Sequence, residues 1–340
     1  MSRRQAQSAP TQDGVTVPRL EIGLVNNMPD GALQATERQF GLLLKAAGGG
    51  FDVRLRLFSL PQIERGEIAR AHMRGRYADA GRLAAAGLDG LIVTGAEPKA
   101  PDLAEEPYWG SLTEVFDAAQ ALAIPAIWSC LAAHAAVLHR DGVARVPLPA
   151  KLSGVFEFRQ VAEDPLLAGA PKIIVTPHSR LNGLDAADLA RAGYRVLTAS
   201  DEAGVDVFVG RERPLQLFFQ GHPEYDPDSL IKEYVRDVGR FLRGERPAHP
   251  EVPADSVDAL TAHDLDRLAE RARRRPRPER LADYAEVMAG ARLEQPWRGA
   301  AVRIVGNWLG GVAAQKALKG EQGAVTGIRR RTASADRSQR

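Results

Sequence analysis

Apolar residues in this chain fall into short runs, separated by longer stretches where they recur at helical spacing. Leu20–Val25, Leu88–Val93 and Ile124–Ser129 are nearly continuous apolar runs of strand length, as expected of strands buried on both faces. Val53–Phe58 instead alternates Val, Leu and Leu with Arg, the mark of a half-exposed strand. Between the runs, 32–47 has helical composition and is stopped by Gly48-Gly-Gly50; 60–86 reads as helical and charged, and 110–122 as a further helix. This alternation predicts a parallel, doubly wound α/β sheet with flanking helices, and ligands at the carboxyl ends of its strands.

Beyond residue 150 the pattern changes. Val155–Val161, Ile173–Thr176, Tyr194–Ala199 and Val205–Val209 are short strands with turns between them, more antiparallel in character. A strand ending near Gln220 leads to a helix over 227–243. Pro247, Pro250 and Pro253 then mark a linker, and 255–293 and 298–318 read as helices interrupted at Pro276 and Pro278. The expected division is a disordered N-terminus (1–18), a catalytic domain (19–246), a helical C-terminal extension (247–318) and a disordered basic tail (319–340).

Composition narrows the class. Of 340 residues, 44% are hydrophobic, enough for a sizeable core. The single cysteine excludes an internal disulfide framework and fits a reducing cytosol, and no apolar span approaches ~20 residues, so a cytoplasmic protein with no signal peptide or membrane helix is expected. Net charge is +2 but uneven: residues 271–340 hold 16 Lys/Arg against 6 Asp/Glu, a balance of +10, leaving −8 for the rest. Arg273-Arg-Arg275 and Arg329-Arg-Arg331 read as solvated helix faces and tail rather than a nucleic-acid surface. No Gly-rich phosphate loop and no Cys/His spacing for a metal occurs.

The chemistry gathers at two strand ends. Cys130 follows the apolar run 124–129 and precedes an Ala-rich helical segment, so it sits at a strand-to-helix turn where the first helical N–H groups can favour a thiolate and hold an oxyanion. A lone cysteine is also, more ordinarily, a small buried hydrophobe. A second strand-like run ends in Gly221-His-Pro-Glu224. In an extended segment, His222 and Glu224 two positions apart share a side. A thiol nucleophile needs a base, and the base an orienting group, so Cys130, His222 and Glu224 together predict a catalytic triad. Taken alone, His222 would be a structural turn residue.

Several further segments, in this order, resemble the homoserine O-succinyltransferases and their acetyl-transferring relatives, which share a class I glutamine amidotransferase-like (flavodoxin-like) fold: Asn27-Met-Pro29, Glu37-Arg-Gln-Phe40, Asp89-Gly-Leu-Ile-Val-Thr-Gly-Ala96, Tyr108-Trp109, Lys151-Leu-Ser-Gly-Val155, Pro177-His-Ser-Arg180, Gly221-His-Pro-Glu-Tyr-Asp226, Tyr234-Val-Arg-Asp237 and Trp297-Arg298 with Asn307-Trp-Leu309. The resemblance spans roughly residues 20–317. It implies an acyltransferase of methionine biosynthesis that moves an acyl group from succinyl-CoA or acetyl-CoA to L-homoserine through a Cys130 thioester, with acyl-CoA as co-substrate and no resident cofactor. It further implies His222 as base, Glu224 as its orienting group, and Arg236, Lys151 and Ser179 as substrate contacts. Backbone N–H groups of Leu131 and the Thr94–Ala96 turn are the expected oxyanion donors. A homodimer packed across the apolar C-terminal helix at Trp308 and Leu309 is a further expectation.

Three departures from the family pattern stand out. Asp30-Gly31 replaces a Lys pair usual after the Met-Pro turn, His134 falls where Gln is usual, and Lys99 occupies the position that discriminates acyl donors. A lysine there could pair with a succinyl carboxylate, so succinyl is the expected donor; acetyl transfer, or another hydroxy amino acid as acceptor, is the alternative. A glutaminase-type hydrolase fits less well, because its nucleophile elbow usually reads Gly-x-Cys-x-Gly, whereas Trp128 and Ala132 flank Cys130 here. A non-catalytic homologue binding acyl-CoA or nucleic acid through 271–340 is the remaining alternative.

Overall fold

The computed structural model describes residues 17–211 and 213–337, with side chains as far as residue 321. In chain order the elements are β1 (Arg19–Val25), α1 (Asp30–Ala47), β2 (Asp52–Ser59), α2 (Glu67–Met73), β3 (Tyr77–Asp79), β4 (Gly90–Val93), α3 (Trp109–Ala121), β5 (Ala126–Ser129) and α4 (Leu131–Asp141). There follow β6 (Val146–Gln160), β7 (Ile173–Gly183), α5 (Ala186–Arg191), β8 (Arg195–Val196), β9 (Thr198–Ser200), β10 (Gly204–Val205), β11 (Val207–Val209) and β12 (Gln216–Phe219). The chain closes with α6 (Ser229–Leu242), α7 (Ala259–Arg274), α8 (Leu281–Ala289) and α9 (Arg298–Arg337).

The main sheet runs in the order β3-β2-β1-β4-β5-β12-β11-β8. Its first six strands are mutually parallel, and β11 and β8 continue it antiparallel. Side chains alternate between two cores. Leu91 and Val93, Ala126 and Trp128, and Phe218 enter one; Ile92, Ile127, Leu217 and Phe219 enter the other. Both faces are covered, so these strands carry unbroken apolar runs, as read from sequence. Residues of α3 and α4 cover the first face; α1 and α9 cover the second.

The second sheet, β10-β9-β6-β7, is antiparallel. Its β6 and β7 run well beyond the short strands expected at 155–161 and 173–176, with a register irregularity between Pro147 and Leu152. That extension carries Lys151 and Ser179 out beside α6. The expected strand over 194–199 is divided: 195–196 joins the main sheet and 198–200 the second. Within 60–86 only a short helix forms, followed by the edge strand β3 and a 3-10 turn, because Gly75 at φ 75° breaks the helix and Tyr77–Asp79 pairs with Leu57–Ser59.

Helix α9 buries Ile304, Val305, Trp308, Leu309 and Val312, a stripe at helical spacing, against the sheet. A Cβ at Gly90 would lie 2.9 Å from Trp308 Cη2, so glycine lets the indole reach the strand. Trp308 and Leu309 are fully buried within the chain, which corrects their reading as a dimer surface; the sheet face they cover is their partner. No proline interrupts 298–337, and the helix continues through 319–337, which the sequence reading assigned to a loose tail. The expectations for 1–16 and 338–340 lie outside the described residues. A separate apolar cluster joins Tyr234, Val238 and Leu242 of α6 to Leu265 and Leu268 of α7 and Tyr284 of α8. No helix among the described residues is long and apolar enough to cross a membrane.

Candidate active site

Strands β5 and β12 lie side by side in parallel, with Ser129 opposite Phe219, and the Cys130 N–H donates to the Phe219 carbonyl at 2.7 Å. The two strand ends are thereby locked together, and each is followed by one half of the predicted chemistry. Cys130 has φ 54° and ψ −117°, a conformation costing a non-glycine residue about 1–3 kcal/mol. The turn lifts its side chain above the sheet edge at the start of α4, so that the Leu131 N–H is one of the helix's orphan donors. A Cβ at Gly95 would sit 2.9 Å from Leu131 Cβ and 3.1 Å from Leu131 N, so only glycine lets the turn after β4 approach that donor.

The Thr94–Ala96 turn is clamped from the other side. The Asn27 N–H donates to Thr94 Oγ1 at 2.9 Å and Asn27 Nδ2 to the Thr94 carbonyl at 3.2 Å. Arg65, which the sequence reading did not single out, braces the Asn-Met-Pro turn through hydrogen bonds to the Met28 carbonyl at 2.5 Å and the Asn26 carbonyl at 3.2 Å. Its partner Asp30 also accepts from the Gly66 N–H at 2.7 Å. Asp30, the departure noted after Met28-Pro29, thus anchors this turn.

His222 follows β12 in a turn rather than the extended segment expected, with the Tyr225 N–H returning to the His222 carbonyl at 3.2 Å. The turn still brings His222 Nδ1 within 2.9 Å of Glu224 Oε1, leaving Nε2 for the sulfur of Cys130, which lies within hydrogen-bonding reach of the ring. Burial alone would push the imidazole down. The Cys130 sulfur and the Glu224 carboxylate on either side outweigh it and hold His222 well above its ordinary range. Tyr225 stacks on the ring at 4.2 Å and 16°.

The backbone of this turn has no slack. The His222 N–H donates to the Pro177 carbonyl at 2.9 Å, and a Cβ at Gly221 would meet Thr176 Cγ2 at 2.5 Å, His178 Nε2 at 2.7 Å and Asp206 Oδ1 at 3.0 Å. Gly221→Ala is therefore expected to cost about 1–3 kcal/mol in urea denaturation and to lower turnover by displacing His222. A variant with wild-type midpoint and kcat would show that the turn can give way.

Behind His222 lies a buried layer. Asp206 accepts from the Gly221 N–H at 2.9 Å, His178 Nε2 stands 3.5 Å from the same carboxylate, and Arg180 Nε donates to His178 Nδ1 at 3.2 Å. Burial, reinforced by Arg180, pushes His178 well below its ordinary range, while burial raises Asp206. His178 and Arg180 are thus packing elements of the wall. His134, on α4 one turn after Cys130, is also buried, which lowers it to about 4; its neutral ring meets Gln220 Oε1 at 2.9 Å.

Cys130, His222 and Glu224 open into a cavity of about 590 Å³. Its far wall brings together Lys151, Ser179 and Arg236. Lys151 Nζ lies 3.2 Å from Asp237 and 3.7 Å from Glu233; Ser179 Oγ donates to Glu233 at 2.5 Å; Arg236 Nε donates to Asp237 at 3.0 Å. Arg246 reaches Asp237 at 3.4 Å, and Arg240 pairs with Glu97 at 2.9 Å. Burial works against the Asp237 charge, yet Arg236 and Lys151 hold its carboxyl below the usual range. Lys151, Arg236, Arg240 and Arg246 on this wall share three carboxylates, Glu97, Glu233 and Asp237, while Glu245 is paired with Arg243, which leaves one unit of positive charge.

Lys99 is not brought to the cavity. Its side chain is 74% exposed and pairs with Glu64 at 3.1 Å, while its backbone N–H donates to buried Glu106 at 2.5 Å. The Pro-rich loop is pinned by Glu106 with the lysine facing outward, so the expectation that Lys99 reads the donor is corrected. The residues missed by sequence reading (Glu233, Arg240, Arg246 and Arg145) reach the cavity from a helix face and loops whose local patterns are those of ordinary surface residues.

A family model described as homoserine O-succinyltransferase matches residues 3–318. The chain is 48% identical over 88% of its length to a homoserine O-succinyltransferase of Methylorubrum extorquens, covering 89% of that protein. It is 47% identical over 87% of its length to one of Rhodopseudomonas palustris, again covering 89% of the relative. Among solved structures, a glutamine amidotransferase from Methylobacillus flagellatus aligns with 87% of this chain and 95% of its own, at 15% identity and a TM-score of 0.47.

Proposed function

The chain belongs to the homoserine O-succinyltransferase family, and from that membership we propose that it transfers a succinyl group from succinyl-CoA to the hydroxyl of L-homoserine through a thioester on Cys130. The observation that carries the covalent route is the strained Cys130 elbow beside a His222–Glu224 pair joined at 2.9 Å. Both reactants are diffusible, and the reading needs no resident cofactor.

In the first half-reaction His222 takes the thiol proton and the Cys130 sulfur attacks the thioester carbonyl. The tetrahedral oxyanion would lie between the Leu131 N–H and the turn held at Gly95. Collapse expels the CoA thiolate, which recovers the proton from His222. In the second half, His222 deprotonates the homoserine hydroxyl, whose oxygen attacks the acyl-enzyme; collapse frees the ester and the Cys130 sulfur, which takes the proton back. Glu224 accepts from the Nδ1 proton throughout and stabilises the imidazolium.

The acceptor is a zwitterion, and the far wall offers both signs. Arg236 answers its carboxylate with a planar fork, the excess positive charge there suits an added anion, and Glu233 and Asp237 can accept from its ammonium. Arg236→Ala is expected to raise the KM for homoserine about ten- to hundred-fold while leaving thioester formation nearly intact. Equal damage to both half-reactions would remove Arg236 from the acceptor site. The covalent route itself is tested by intact mass after incubation with succinyl-CoA: a single succinyl adduct on Cys130, discharged by homoserine, is expected. Turnover with no adduct under rapid quench would exclude it.

A further inference from the structure

Resting on that reading, we infer that Arg145 is the residue that recognises the distal carboxylate of the succinyl group. Succinyl transfer brings two carboxylates into one cavity, one on the acceptor and one at the end of the acyl chain. The far wall has one unit of positive charge beyond its own carboxylates, which suits the first. The second needs a cation of its own, because a carboxylate withdrawn from water without a partner is costly.

The remaining cationic side chains lining the cavity are Arg180 and Arg145. Arg180 is buried and committed: its guanidinium bonds His178 Nδ1 and the carbonyls of Asn182 at 2.8 Å and Ala203 at 2.5 Å. Arg145 follows α4 through the Gly142 turn and lines the same cavity as Cys130 and His134.

Both Arg145 hydrogen bonds leave from Nη2, to the Pro101 carbonyl at 2.6 Å and, at the limit of the range, the Ala100 carbonyl at 3.5 Å. Among the described residues no carboxylate lies within ion-pair distance of it. Nearby Glu106 spends Oε1 on the N–H groups of Lys99 and Ala100 instead. The loop that turns Lys99 outward therefore also steadies Arg145, with one edge of its fork held by backbone carbonyls and, among the described residues, no carboxylate paired with it. A planar fork with free donors is the group that best matches a carboxylate.

The test compares succinyl-CoA with butyryl-CoA, which has the same chain length, the same CoA and no distal charge. Wild type is expected to favour succinyl-CoA in kcat/KM. In Arg145→Gln that preference should fall about ten- to hundred-fold, and in Arg145→Lys by less, since charge without the fork is retained. Butyryl transfer also reports whether each variant is folded. An unchanged succinyl-to-butyryl ratio would overturn the assignment, because a guanidinium that only braces the 100–101 loop, or that binds a CoA phosphate, would affect both donors alike. Wild type that favours butyryl-CoA would overturn it too. If wild type forms no thioester with any acyl-CoA, the proposed reaction fails first and this assignment with it.

Discussion

Cys130→Ser is expected to lower kcat by about four or more orders of magnitude and to abolish the succinyl adduct seen by intact mass. The reason is chemical rather than structural. The hydroxyl occupies nearly the same space on the same turn, but an alcohol gives up its proton far less readily than a thiol, so the imidazole must do more work for a weaker nucleophile. The position is also strained, at φ 54°. Cys130→Ala retains that strain and Cys130→Gly releases it, so the glycine variant should be the more stable of the two by about 1 kcal/mol, though neither turns over. Equal denaturation midpoints would mean that the elbow stores nothing. Substantial turnover in the serine variant would point to direct transfer between bound substrates.

His222→Ala should be nearly as damaging, because the same imidazole handles the proton in both half-reactions. Glu224→Gln should lose about a hundred-fold less: the ring keeps a hydrogen-bonding neighbour at Nδ1 but loses the charge that stabilises its protonated form. Combining Cys130→Ser with His222→Ala should cost little beyond either change alone, since the two act as a unit. Steady-state kinetics and single-turnover acylation of the four proteins separate these cases. If His222→Ala kept near-wild-type kinetics, the triad would be wrong even with the adduct on Cys130 confirmed. If the losses multiplied, the two residues would serve different steps.

The strands of the parallel sheet were legible because both of their faces are buried. That burial requires unbroken apolar runs, and the turns after 93, 129 and 219 carried recognisable chemistry. The grouping of Cys130, His222 and Glu224 was legible for a related reason. Its members lie at the ends of strands, so locating β5 and β12 located Cys130 and His222 to within a few residues. The edge strand β3 was hidden inside a charged stretch, because an edge carries little apolar signal. The long arms of β6 and β7 were hidden because Lys151 and Ser179 sit on strand positions that face the cavity rather than a core.

What the amino-acid order determined by itself is therefore the buried parallel strands, the strand-to-helix elbow at Cys130 and the placing of His222 and Glu224 at a neighbouring strand end, written in local apolar periodicity and turn chemistry. What only the tertiary structure decided is where the charges go. Lys99 turned outward to Glu64, Arg145 stayed without a carboxylate partner among the described residues, and Asp237 drew Lys151, Arg236 and Arg246 to one wall. A side chain's period along the chain reports which face it occupies. The direction of a long cation on a loop depends instead on which anions, from segments distant in sequence, the packed sheet has already brought within reach.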